Sequence, residues 1–142
     1  MTPPLFVLDT SVVISALIGE ERSSNNRVLR AVETGDLRVA TSDAFFTEIS
    51  YVTRYSEVES RIKSPSRSLR MGISLGLMGE FHRPRSLDWP RLGDKKDWWI
   101  FDLAFESGAD YIVTRDDHLR VAYVLGFDVL TPPQALNQVG RR

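Results

Sequence analysis

The stretch from Gly93 to Leu119 constrains the fold more than any other part of the chain. It reads as a helix, a turn, a buried strand, and then a carboxylate just past the strand. From Asp97, a helical step of about 100° brings Phe101, Ala104 and Phe105 onto roughly one face. Gly108 ends that helix, because glycine accepts the left-handed cap conformation. Tyr111 to Thr114 is a short run of strand formers that Arg115-Asp116-Asp117 halts abruptly. Two acids therefore flank one helix–strand unit, Asp97 at the helix start and Asp116 past the strand's C-terminal end. An aspartate at a helix start is commonly a cap or dipole partner, so Asp97 gains meaning only if other carboxylates join it.

The N-terminus repeats the arrangement. Leu5 to Leu8 is an apolar run too short for a helix and suited to a buried parallel strand, and it leads directly into Asp9-Thr10-Ser11. Thr10 or Ser11 is expected to cap the following helix, whose apolar residues Val12, Val13, Ala16 and Leu17 lead to Gly19. Asp9 thus holds the same station as Asp116, and open α/β sheets bind ligands at that edge.

Residues 20–26 read as a loop, Asn26 to Thr34 as a helix closed by Gly35, and Leu37 to Thr41 as a second strand. Ser42 or Asp43 then caps a helix carrying Phe45, Phe46, Glu48, Ile49 and Val52. At 100° per residue, Glu48 lies on the edge of its apolar stripe. A glutamate there is paired with a cation, protonated, or held by a metal, and an arginine ion pair serves as well as a site role. From Glu57 to Gly79 two helical segments are expected, broken at Ser64-Pro65-Ser66. Residues 81–93 read as extended or looped, with a short strand near Leu87. His118 to Leu125 is expected as a helix, Phe127 to Leu130 as a strand, and Pro133 to Val139 as a closing helix. No repeat or linker interrupts the 142 residues, so residues 1–142 form one α/β domain with a mainly parallel central sheet flanked by helices.

Composition narrows the chemistry. No cysteine is present, which removes disulfides, thiolate metal sites and cysteine nucleophiles, and suits a reducing cytoplasm. Two histidines, His82 and His118, are too few for a histidine-rich metal centre. The N-terminal apolar run is too short for a signal peptide, and no stretch reaches membrane-spanning length. The net charge of −1 exerts no global pull on nucleic acid, yet eight Lys/Arg against four acids lie between Arg54 and Arg91. Arg54, Arg61, Arg67 and Arg70 are candidates for a phosphate backbone; a solvated helical surface explains the same pattern.

If Asp9, Glu48, Asp97 and Asp116 converge, they form six repulsive pairs. At about 6 Å and an effective dielectric near 20, each pair costs around 3 kcal/mol. Proton uptake relieves part of this, and a divalent cation relieves it better. An all-oxygen donor set favours Mg²⁺ or Mn²⁺ over zinc. Such an ion polarises a phosphoryl oxygen and activates water, which is the chemistry of phosphodiester hydrolysis.

These residues carry a resemblance. Val7-Leu-Asp9-Thr-Ser11, Glu48 on its helix, Asp97 with Ala104, and Ala109-Asp-Tyr-Ile-Val-Thr-Arg-Asp116 resemble the PIN-domain ribonucleases, and in particular the VapC-type toxins of bacterial toxin–antitoxin pairs. The resemblance implies that Asp9, Glu48, Asp97 and Asp116 are the catalytic acidic quartet, with Asp9, Asp97 and Asp116 as metal ligands. It also implies supporting roles for Thr10, Ser11 and Thr114, RNA cleavage dependent on Mg²⁺ or Mn²⁺, a homodimer, and inhibition by a cognate antitoxin. It covers roughly the first and last fifty residues. Residues 56–90 carry no assignable motif, and Trp98-Trp99 stands where that family has smaller residues; these indoles suit core packing, base stacking or a dimer seam. Asp102, some 140° around the helix from Asp97, is expected to face elsewhere. Two alternatives remain. One is a catalytically silent PIN-like module that binds RNA or protein; the other is an aspartate-nucleophile phosphotransfer domain, against which Ser11 stands where a second aspartate is wanted.

Overall fold

Five short strands, β1 (Leu5–Leu8), β2 (Arg38–Thr41), β3 (Glu80–Phe81), β4 (Tyr111–Val113) and β5 (Val129–Leu130), form one sheet in the order β3-β2-β1-β4-β5. Every neighbouring pair is parallel, as continuous apolar runs alternating with helices dictate. The computed structural model describes residues 2–62, 65–90, 92 and 94–139. Gly93, at the head of the constraining stretch, and Ser64, in the expected helix break, lie outside the described residues.

The strand β1 is central and buried on both faces. Its side chains alternate: Phe6 and Leu8 join one core with Val12, Val28, Phe45 and Leu75, while Leu5 and Val7 join another with Ile100, Phe101 and Leu103. The helices supplying these layers are α1 (Thr10–Ile18), α2 (Ser24–Thr34), α3 (Asp43–Val52), α5 (Pro65–Met78) and α6 (Trp98–Ser107). Two short helices, α4 (Ser56–Glu59) and α7 (Pro132–Leu136), complete the set. Parallel strands place every strand's C-terminal end on one edge of the sheet, so Asp9, Ser42, His82 and Thr114 emerge together there.

Several local expectations are corrected. Neither Thr10 nor Ser11 caps α1; Asp9 is the N-cap, and its side chain makes no capping bond because other partners hold it. The second helix begins at Ser24, since Ser23 accepts the Asn26 N–H and starts it earlier. No strand forms near Leu87. The third strand is Glu80–Phe81, pinned to β2 by a two-pronged ion pair in which Arg38 Nε and Nη2 reach Glu80 Oε2 and Oε1 at 2.7 and 2.8 Å. Residues 82–89 instead cross α6, where Asp102 Oδ1 accepts from Leu87 N and Trp89 Nε1, both at 2.9 Å.

Asp117–Leu125 is a 3₁₀ helix rather than an α-helix. Phe127 and Asp128 precede β5 rather than belonging to it, and the closing helix stops at Leu136. Phe105 shares a helical stripe with Phe101 yet is 61% exposed, because the sheet covers only part of that face. Gly108 does cap α6 in the left-handed region, at φ 67°. At Gly79, between α5 and β3, an added Cβ would meet the Leu75 carbonyl and come within 2.6 Å of Thr41 Cγ2, so the backbone approaches β2 there as only glycine permits.

Candidate active site

Asp9 ends β1, and its backbone N–H donates to Val113 O at 2.9 Å, which ties the ends of β1 and β4 together. Its side chain is 93% buried, at 7% exposure. Oδ2 accepts from Ser11 Oγ at 2.8 Å and from Thr114 Oγ1 at 2.7 Å. Asp9 Oδ1 has no protein donor among the described residues. Thr114 Oγ1 accepts in turn from Asp116 N at 2.9 Å, so one hydroxyl couples two strand-end acids. Thr10 opens α1 without a side-chain hydrogen bond among the described residues.

Asp97 sits between a 3₁₀ turn (Lys95–Asp97) and α6, and its carboxylate caps nothing. Its pKa is raised to about 6, chiefly by burial and then by the charge of Asp9, with Asp94 and Asp116 adding and Lys96 opposing. Asp116 is held below the ordinary carboxylate range, first by the His118 backbone N–H and then by that residue's ring, each 2.9 Å from Oδ1. Asp117 is 91% exposed and pairs with Arg120, whereas Asp116 is the strand-end acid of the two whose charge reaches Asp97.

Asp9 and Asp116 thus both act on Asp97. Glu48 is half-buried on α3 and is not among the groups that shift the Asp97 pKa; its charge helps to raise the phenol pKa of Tyr55, which a hydrogen bond with Tyr51 raises first. None of the basic candidates figures in the electrostatics of Asp97 or Asp116. Arg67 Nη1 donates to Gly19 O, and Arg70 pairs with Glu33 at 3.4 Å. Gly19 closes α1 some 14 Å from its Asp9 end at 1.5 Å per residue. Arg54 and Arg61 are exposed beside α3 and α4. Lys96, which acts on both Asp97 and Asp116, is the nearby cation that sequence reasoning passed over. Its signal was adjacency, in the run Asp94-Lys-Lys-Asp97.

Among the described residues, no three His, Asp or Glu side chains form a ready metal-binding cluster. The donor chemistry nevertheless fits a hard divalent cation. Asp9 Oδ1 lacks a donor, and Asp97 is destabilised as an anion by burial and by two strand-end acids.

A family profile for the PIN domain matches residues 6–118, spanning Asp9, Glu48, Asp97 and Asp116. The chain belongs to the PIN-domain family. No curated protein matches it at a significant level. PIN domains are typically metal-dependent nucleases that bind RNA, and this PIN domain has the single α/β domain with a parallel sheet that its sequence predicted. No helix among its described residues is long and apolar enough to cross a membrane. Trp98 and Trp99, next to Asp97, are half-buried; the Trp99 ring lies 6.0 Å from Phe45, and Lys95 Nζ sits 5.7 Å from the Trp98 ring centre.

Proposed function

We propose that this PIN domain is an Mg²⁺- or Mn²⁺-dependent endoribonuclease acting in the cytoplasm as the toxin of a toxin–antitoxin pair, as a homodimer restrained by a cognate antitoxin. The observation that carries the nuclease reading is Asp97, a carboxylate held near pKa 6 by burial and by Asp9 and Asp116. A carboxylate so disfavoured as an anion wants a cation, and the all-oxygen neighbours select a hard one. Asp9, Asp97 and Asp116 are assigned as metal ligands, with Glu48 the outer member of the catalytic set. When bound, the ion supplies Lewis-acid polarisation of the scissile phosphate and activation of water.

The chain's own groups do the positioning. Ser11 and Thr114 load Asp9 Oδ2 and leave Oδ1 for the cation, which fixes the carboxylate's rotation. Thr10, at the same turn, is assigned a supporting role beside Asp9. His118 orients Asp116 through two contacts to Oδ1. Lys96 places a positive charge beside Asp97 and Asp116 and is suited to meet a phosphate oxygen. Arg54, Arg61, Arg67 and Arg70, none of which figures in the electrostatics of Asp97 or Asp116, serve as outlying contacts to the RNA backbone.

The toxin assignment is tested by induced expression in a bacterial host. Growth arrest that Asp9→Asn and Asp97→Asn abolish supports it, and undiminished arrest in both variants removes it. The silent-module reading draws on the absence of a ready metal cluster among the described residues. Calorimetry showing no divalent-ion binding would establish that reading instead.

A further inference from the structure

A cavity lies on the same sheet edge, displaced from the strand-end acids. It has a volume of about 350 Å³ and is walled by Ser42, Asp43 and Ala44 at the start of α3, by His82 and Arg83 after β3, and by Trp99 of α6. Its position is fixed from both sides. Trp99 is two residues beyond Asp97, and Ala44 is one helical turn before Glu48, so the two share a face of α3 with Cβ atoms about 5–6 Å apart. The His82 N–H donates to Thr41 O at 2.8 Å and holds the end of β3 level with that of β2. Two strand spacings separate β3 from β1, so this cavity lies about 10 Å along the edge from Asp9.

Its chemistry is that of a nucleotide site. Trp99 supplies an aromatic surface, and base stacking on such a surface is tolerant of sequence. Arg83 has no carboxylate partner among the described residues; its guanidinium rests 5.6 Å from the Phe81 ring centre. His82 is half-buried beside it. Asp43 is an exposed carboxylate at the rim, able to accept from the exocyclic amino group of a base. The outer wall is held by Asp102, whose bonds to Leu87 N and Trp89 Nε1 fix residues 82–89 across α6. That wall belongs to the segment for which the sequence offered no role.

We propose that this cavity holds one nucleotide of single-stranded RNA adjacent to the scissile phosphate, its base against Trp99 and its phosphate between His82 and Arg83. Adjacency to the scissile phosphate rests on the nuclease reading; the binding of a nucleotide does not. Residues 80–86, which bring β3, His82 and Arg83 to the edge, thereby act as a substrate-selecting element.

The test is made in EDTA, where no metal-dependent cleavage proceeds. The probe is a mixed-sequence single-stranded RNA tetranucleotide, titrated into ¹⁵N-labelled protein while the tryptophan indole N–H resonances are followed. Trp99→Phe assigns the relevant resonance. The Trp99 signal is expected to move and the Trp89 signal to stay. Arg83→Ala, at an exposed residue that pairs with no acid, is expected to weaken binding about tenfold, and His82→Ala combined with it further still. A Trp99 signal unmoved at saturating tetranucleotide, or equal affinity in the wild type and the double variant, overturns the proposal. Cleavage by the wild type in Mg²⁺ is scored separately. Cleavage without a Trp99 response removes the subsite and leaves the nuclease, whereas a Trp99 response without cleavage removes the nuclease and leaves the nucleotide site.

Discussion

Asp97 concentrates the electrostatic cost of the site in one side chain. Its folded pKa of about 6 lies above the ordinary 3.8, so between those values the native state holds a proton that the unfolded chain has shed. Stability from this group therefore falls as pH rises through that window, and the full penalty stands above about pH 6. Asp97→Asn removes the penalty. Its melting temperature at pH 7.5 is expected to exceed that of the wild type by a few degrees, with the difference vanishing near pH 4. Mg²⁺ offsets the same repulsion and should raise the wild-type Tm at pH 7.5 while leaving Asp97→Asn unmoved; thermal scans at both pH values check both statements. Thr114→Val deprives Asp9 Oδ2 of one donor and Asp116 N of its acceptor. About a tenfold loss of cleavage is expected, and Glu48→Gln, outside the group acting on Asp97, is expected to cost less than Asp9→Asn. At this scale the sequence was most legible where an acid follows a buried strand, as at Asp9 and Asp116. It was least legible where a role depends on distant partners: Lys96 acts through space on Asp97 and Asp116, and where Glu48 stands relative to the aspartates depends on how α3 packs.

Among the elements, α6 links core, loop and site. Its buried face carries Ile100, Phe101 and Leu103, its first residues adjoin Asp97, and Asp102 ties residues 82–89 to it. Asp102→Ala leaves the Leu87 N–H and the Trp89 indole N–H without their acceptor, a loss of about 2 kcal/mol. A fall in Tm of roughly 5–10 °C is expected. The periodicity of α6 showed that Asp102 faces away from Asp97, but not what it holds. The helices were legible where a cap or glycine bounded them, as at Ser42, Gly35 and Gly108. The strand β3 was not, because Glu80-Phe81 is too short to show alternation and depends on Arg38, forty-two residues earlier. The 3₁₀ geometry of Asp117–Leu125 was likewise hidden, since at that length an apolar pattern reads equally well as an α-helix.

For the whole molecule, the parallel sheet sets the functional logic by gathering strand-end residues from distant parts of the chain onto one edge. Alternation of apolar runs with helical segments made that architecture readable without coordinates. The opposite edge, where β2 and β3 begin, carries a pH limit. Arg38 holds the Glu80 carboxyl below its ordinary range, so this pair stabilises the fold above the unfolded pKa and is lost as pH falls through the folded one. Both groups are partly exposed, so its contribution is at most about 1 kcal/mol. Removing the pair with Glu80→Gln is expected to lower Tm slightly at neutral pH and to have no effect once the pH is acid enough to protonate Glu80 in the folded state. The central claim, a metal-dependent ribonuclease built on Asp9, Asp97 and Asp116, is tested most directly by cleavage of a mixed RNA pool. Purified protein freed of any co-purifying inhibitor is incubated with Mg²⁺, with Mn²⁺ or with EDTA, beside Asp9→Asn. Cleavage with either ion, absent in EDTA and in the variant, is the result expected. Intact RNA in every lane, together with no divalent-ion binding by calorimetry, would contradict it.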